Sequence, residues 1–150
     1  MLARIRKAMD KREEGFTLIE LLVVMIIIGI LAAIAIPVFL SQRRKAVDSA
    51  AKADVSTLGK EIATYYVDGT GDPTVGVTPP ATAGQPAHYS VNGNDAGRQS
   101  ANMGTPALSW APATAPHSGS NWCVTLPITA NGTLTATYYS ATNGLSTTSC

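Results

Sequence analysis

Between Leu21 and Leu40 the chain reads LLVVMIIIGILAAIAIPVFL, twenty residues without a charge. As a helix this run spans roughly 30 Å, the thickness of a bilayer's hydrocarbon core. From Ser41 the pattern changes. Val47, Ala51, Val55, Leu58, Ile62 and Tyr65 recur three or four residues apart, which predicts an amphipathic helix with one apolar stripe. Asp48 and Lys52, at i and i+4, form a favourable pair expected on the other side of that helix. Asp68-Gly69, followed by Gly71 and Pro73, supplies the stop. One helix is therefore predicted over 16–67, membrane-spanning at 16–40 and amphipathic at 41–67, and about 75 Å long.

Residues 68–120 are rich in Gly, Pro, Ala, Thr and Ser and read mostly as surface loop, with short strand-like pieces at His88 to Val91 and Ala107 to Trp110. Over 121–150 the period becomes two. Trp122, Val124, Leu126 and Ile128 alternate with Cys123, Thr125 and Pro127, and Pro127 marks a strand end or an edge. Asn131-Gly132 reads as a hairpin turn into a strand from Thr133 to Ser140, with Leu134, Ala136 and Tyr138 on one face. Asn143-Gly144 turns the chain again into Leu145 to Cys150. The expected fold class is α+β, a long N-terminal helix packed on a small C-terminal antiparallel β-meander.

Charge adds an orientation. Five of the 11 bases (Arg4, Arg6, Lys7, Lys11 and Arg12) lie ahead of the apolar run, where the positive-inside rule places them in the cytoplasm. Arg43, Arg44 and Lys45 on the far side weaken that bias. The only two cysteines, Cys123 and Cys150, lie beyond the span and lack metal or redox spacing, so a structural disulfide in an oxidising compartment is preferred over two buried thiols. Both arguments put the N-terminus inside. The competing reading, a secretory signal cut after Ala33-Ile34-Ala35, fits less well. The apolar run is too long, Glu20 sits inside it, and the helix pattern continues past the cut.

The leader ends at Glu13-Glu14-Gly15 and is followed at once by Phe16-Thr17-Leu18-Ile19-Glu20. The string GFTLIELLVVMIIIGILAAIAIP resembles the N-terminus of type IV prepilins and the related pseudopilins, closely over roughly residues 10 to 60. The resemblance implies the pilin fold, and a leader, 1–15, removed by a membrane peptidase after Gly15. It also implies an N-methylated mature terminus at Phe16 and an apolar helix retained as the filament core. Glu20 corresponds to the family's signature acid, which would pair with a neighbouring subunit's N-terminal amine in the polymer. The plainer alternative is an acid snorkelling toward the membrane edge. Gly29 and Pro37 fall where the family's helix loosens or bends, and Pro37 by itself removes a backbone hydrogen bond and crowds the Ala33 carbonyl.

No nucleophile elbow, zinc-protease motif, Walker loop or dinucleotide fingerprint is present, so no enzymatic activity and no cofactor are expected. His88 and His117, far apart in Pro-rich segments, read as loop surface. Asp68-x-Thr70-x-Asp72 begins like a calcium loop, but Pro73 replaces the turn glycine and no acid stands at the twelfth position. Asp68 and Asp72 are kept only as a minor calcium candidate, with a helix cap and turn preferred. Asn131-Gly132-Thr133 fits a glycosylation sequon as well as a turn, and the turn is preferred. Beyond Lys60 Arg98 is the only lysine or arginine, so no direct nucleic-acid binding is expected.

The expected function is that of a structural subunit, a major pilin of a type IV pilus, single-pass in the cytoplasmic membrane as precursor and extracellular once polymerised. The resemblance implies a prepilin peptidase, a platform membrane protein and an assembly ATPase as partners. A pseudopilin of a type II secretion or competence machine is the first alternative. A monomeric membrane-anchored binding module is the second.

Overall fold

The computed structural model describes residues 16–111, 113 and 117–150, and the expected leader 1–15 lies outside them. Helix α1 covers Leu18–Asp68. Seven strands follow: β1 (Val75–Thr78), β2 (His88–Val91), β3 (Asn94–Arg98), β4 (Ala107–Trp110), β5 (Trp122–Pro127), β6 (Ala136–Ser140) and β7 (Gly144–Ser146). The chain divides into two compact units, Met1–Phe39 and Leu40–Cys150. In the first, the described residues are apolar helix almost wholly exposed to the surroundings.

The second unit contains the helical stripe anticipated from the sequence. Ala51, Val55, Leu58 and Ile62 are fully buried, with Val47 and Tyr65 packed partly against them. Glycine ends the helix as its N–H reaches back to the Tyr65 carbonyl at 2.7 Å. The stripe shares its core with Tyr89, Val91 and Ala96 from one sheet, and Trp122, Val124 and Leu126 from the other. Both sheets are antiparallel, in the orders β1-β2-β3 and β4-β5-β6-β7. The second is the expected meander with β4 added upstream. Trp122, Val124 and Leu126 are buried, Cys123 between them is buried as well, and β5 ends at Pro127, which pairs with Ala136.

Two small residues on α1 let β6 approach closely. The Thr137 hydroxyl, fully buried, donates to the Ala51 carbonyl at 3.2 Å. Two turns further on, Gly59 lies directly under the Tyr139 ring, and a methyl group there would overlap it. This reverses the expected face of the strand: Thr137 and Tyr139, not Leu134, Ala136 and Tyr138, meet the core. Apolar side chains occur at both parities here, and the hydroxyl's helix acceptor decides between them.

Several other expectations need correction. The stretch 68–120 holds the strands expected at His88–Val91 and Ala107–Trp110, as β2 and β4, and adds β1 and β3 where only loop was expected. Its hairpin is made by Asn92-Gly93, whose φ angles of 51° and 79° are both positive, as a two-residue type I′ turn between paired Val91 and Asn94 requires. Asn131-Gly132 instead lies in a longer connection from Ile128 to Thr135, so the return strand starts at Ala136 rather than Thr133. The last strand is short, because the Ser146 hydroxyl accepts from the backbone N–H groups of Thr148 and Ser149 and turns the chain out of the sheet. Cys123 on β5 and Cys150 are joined by a disulfide with Cα atoms 6.0 Å apart.

Candidate assembly site

At the start of α1, Thr17 and Glu20 cap each other. The Glu20 carboxylate accepts from the Thr17 backbone N–H at 2.9 Å and from its hydroxyl at 2.8 Å, while the Thr17 hydroxyl receives the Glu20 N–H at 3.3 Å. This is a capping box, with Thr17 as N-cap and Glu20 at the third helical position. The sequence carries that signal as T-x-x-E. The Glu20 carboxylate therefore has hydrogen-bond partners within its own chain, which leave its charge in place.

The rest of this segment is unpartnered apolar surface. Phe16 is 77% exposed and Leu18 81%, and large side chains from Ile19 to Leu40 are exposed along the helix. The helix is long and apolar enough to cross a membrane. A Cβ at Gly29 would meet nothing within 4 Å, so within this chain no packing requires glycine there. Pro37 lies inside α1, whose helical assignment runs on through it. Gly15, the expected last leader residue, lies outside the described residues.

In the second unit, α1 carries two buried carboxylates that pattern reading left unused. Asp48, expected in solvent with Lys52, is only 7% exposed. It accepts from the Thr133 N–H at 3.0 Å, the Thr133 hydroxyl and the Leu134 N–H at 3.2 Å, pinning the β5–β6 connection. Burial works to raise its pKa, but these hydrogen bonds, helped by the Lys52 charge, outweigh it and hold the carboxyl below the usual carboxylate range. Asp54 accepts from the Tyr89 hydroxyl at 2.8 Å, the Ser100 N–H at 2.9 Å and the Ser100 hydroxyl at 2.9 Å. Burial and the Asp54 carboxylate push the Tyr89 hydroxyl far above its ordinary pKa, so it remains a donor. Each carboxylate ties one sheet to the helix.

Asp72, half of the minor calcium candidate, has a partner within the chain. Asp72 is engaged by His117, whose Nδ1 donates to it at 2.8 Å, and no group of three or more His, Cys, Asp or Glu side chains suited to a metal occurs among the described residues. His117 is not loop surface either. Its side chain is 8% exposed and stacks on Trp110 with ring centroids 4.5 Å apart, and the Trp110 indole N–H donates to the Tyr66 hydroxyl at 2.8 Å. His88 stays at the surface, paired with Asp95.

Residues 10–36 match the family described as the prokaryotic N-terminal methylation motif. The chain is 32% identical over 91 residues to the type II secretion system core protein G of Dickeya chrysanthemi, covering 57% of this chain and 60% of that protein. It is 43% identical over 58 residues to the type IV wide pilus major component of Thermus thermophilus, covering 39% and 44%. To the type IV major pilin of Myxococcus xanthus it is 53% identical over 49 residues, covering 33% and 22%. The chain thus spans about 60% or less of the length of these relatives. No solved structure matches it significantly.

Proposed function

We propose that this chain is a structural subunit that polymerises through its N-terminal helix into a type IV pilus, as a major component. The observation that carries this reading is the coincidence of the methylation motif at 10–36 with an apolar helix whose surface has no partner in its own chain. In water such a surface would drive non-specific association. It suits only lipid, or the flanks of identical helices. In this reading a prepilin peptidase cuts after Gly15 and methylates Phe16. The chain waits in the cytoplasmic membrane with its N-terminus inside, and a platform protein and an ATPase move it into an extracellular filament.

Glu20 has two successive partners in this scheme. Before assembly the carboxylate caps its own helix through Thr17, which lowers the cost of holding it near the membrane edge. In the filament a neighbour's N-terminal amine brings the opposite charge, and a slip in axial register would leave both charges unpaired. Gly29 and Pro37 supply close approach and bending where helices meet. No catalysis is assigned to the chain.

The similarity to the type II secretion core protein fits a pseudopilin equally well, and this is the second reading. A monomeric anchored module is the third. Mass spectrometry of the mature chain, with electron microscopy of cell surfaces, tests these readings, and an uncut, unmethylated chain would leave the anchored module. The pilus reading expects methylated Phe16 at the terminus and long filaments containing this chain. Methylated Phe16 without long filaments assigns it to a secretion or competence machine. A mature terminus near Ile36 overturns both polymer readings.

A further inference from the structure

Beside the β1-β2-β3 sheet lies a cleft of about 680 Å³, within the range of small-molecule sites. Its wall comes from the connection between β1 and β2, where Pro79, Pro80 and Pro86 line the opening. Proline fixes its own φ, and the Gln85 N–H closes a turn on the Thr82 carbonyl at 3.2 Å, so the wall is stiff before any ligand arrives. Little ordering entropy would then be lost on binding.

The polar groups of the cleft are unlike one another. Arg98, the only lysine or arginine beyond Lys60, lines it and makes no ion pair among the described residues. Arg98 is paired in register with His88 on the neighbouring strand. His88 Nδ1 donates to both Asp95 oxygens, at 3.0 Å and 2.8 Å, and the Gly97 N–H donates to one of them at 2.8 Å. These contacts, with that of Gly97 the largest, hold Asp95 below the usual carboxylate range and keep it an acceptor at neutral pH.

We propose that this cleft binds an acidic saccharide, with Arg98 taking the sugar carboxylate and Asp95 and Gln85 taking ring hydroxyls. A fixed carboxylate a few residues from a free guanidinium disfavours a dense polyanion, which Asp95 would repel. It also disfavours a plain neutral sugar, which leaves Arg98 unused. One anionic group surrounded by hydroxyl donors satisfies both ends, and a guanidinium suits a carboxylate geometrically. The three prolines that line the cleft offer apolar surface to the C–H groups of a sugar ring.

The test is calorimetric titration of the full chain in detergent micelles with D-galacturonate, D-galactose and L-glutamate, repeated on Arg98→Gln. Galacturonate is expected to saturate, with galactose and glutamate each binding at least about tenfold more weakly. Arg98→Gln should reduce galacturonate affinity to the level of galactose while the thermal midpoint stays unchanged. Absence of saturable galacturonate binding overturns the proposal. So does equal affinity in Arg98→Gln, or glutamate binding as tightly as the sugar acid. The assay reads the subunit outside any filament, so its outcome is independent of the assembly reading.

Discussion

The carboxylate of Asp48, on the helix, receives both the backbone N–H and the hydroxyl of Thr133, a residue 85 positions later in the chain. That contact converts an apparently solvent-facing acid into the fastening point of the β5–β6 connection. Replacing it leaves donors at Thr133 and Leu134 without their acceptor. Asp48→Ala should destabilise the outer domain by about 1–3 kcal/mol, read as a lower thermal midpoint of the detergent-solubilised chain.

The same residue gives a pH dependence with a definite sign. Its folded pKa is depressed, so its contribution is whole above the ordinary carboxylate value of about 4 and is lost as pH falls below that toward the folded value. Asp48→Ala should flatten this part of the acid unfolding profile. A variant with wild-type acid sensitivity would show that other carboxylates govern it.

Gly59→Ala should be destabilising, although alanine is the better helix former by about 1 kcal/mol. The added methyl would overlap the Tyr139 ring, and overpacking of this kind costs typically about 1–3 kcal/mol. Pairing it with Tyr139→Ala should restore part of the loss, which a purely helical effect would not do.

Thr17→Ala and Glu20→Ala separate capping from assembly. Both break the capping box and should loosen the first turn of the helix. If Glu20 also meets a neighbour's amine, Glu20→Ala permits insertion and processing but abolishes ordered filaments, whereas Thr17→Ala retains them. Equal filament loss in the two variants would reduce Glu20 to a cap, and normal yield from Glu20→Ala would remove the assembly role.

Reduction of the Cys123–Cys150 disulfide, or Cys150→Ser, should lower stability by roughly 3 kcal/mol on the chain-entropy model. Thermal unfolding with and without reductant reads this directly, and the Ser variant should be insensitive to reductant.

The long helix, its buried stripe and β5 were legible because each carries one clear period, bounded by Asp68-Gly69 in one case and Pro127 in the other. The first sheet was less visible. Asn94–Arg98 has few good strand formers, and its pairing follows from the Asn92-Gly93 turn, a signal present in the sequence but outweighed by the surrounding proline and glycine. Asp48 and Asp54 each stand three residues from Ala51, a spacing that places both beside the buried stripe. Their partners, Thr133, Tyr89 and Ser100, are set by tertiary pairing, and no local pattern names them. The capping box was readable from four residues, yet the apolar context drew attention to Glu20 alone.

Because Asp48 holds the β5–β6 connection and Asp54 holds β2 and the segment after β3, the two sheets are moored to the helix at separate points. A pull along the helix is therefore resisted twice over, by a buried carboxylate at each sheet and by the apolar core the sheets share, so tension on the rod is spread across the whole outer domain.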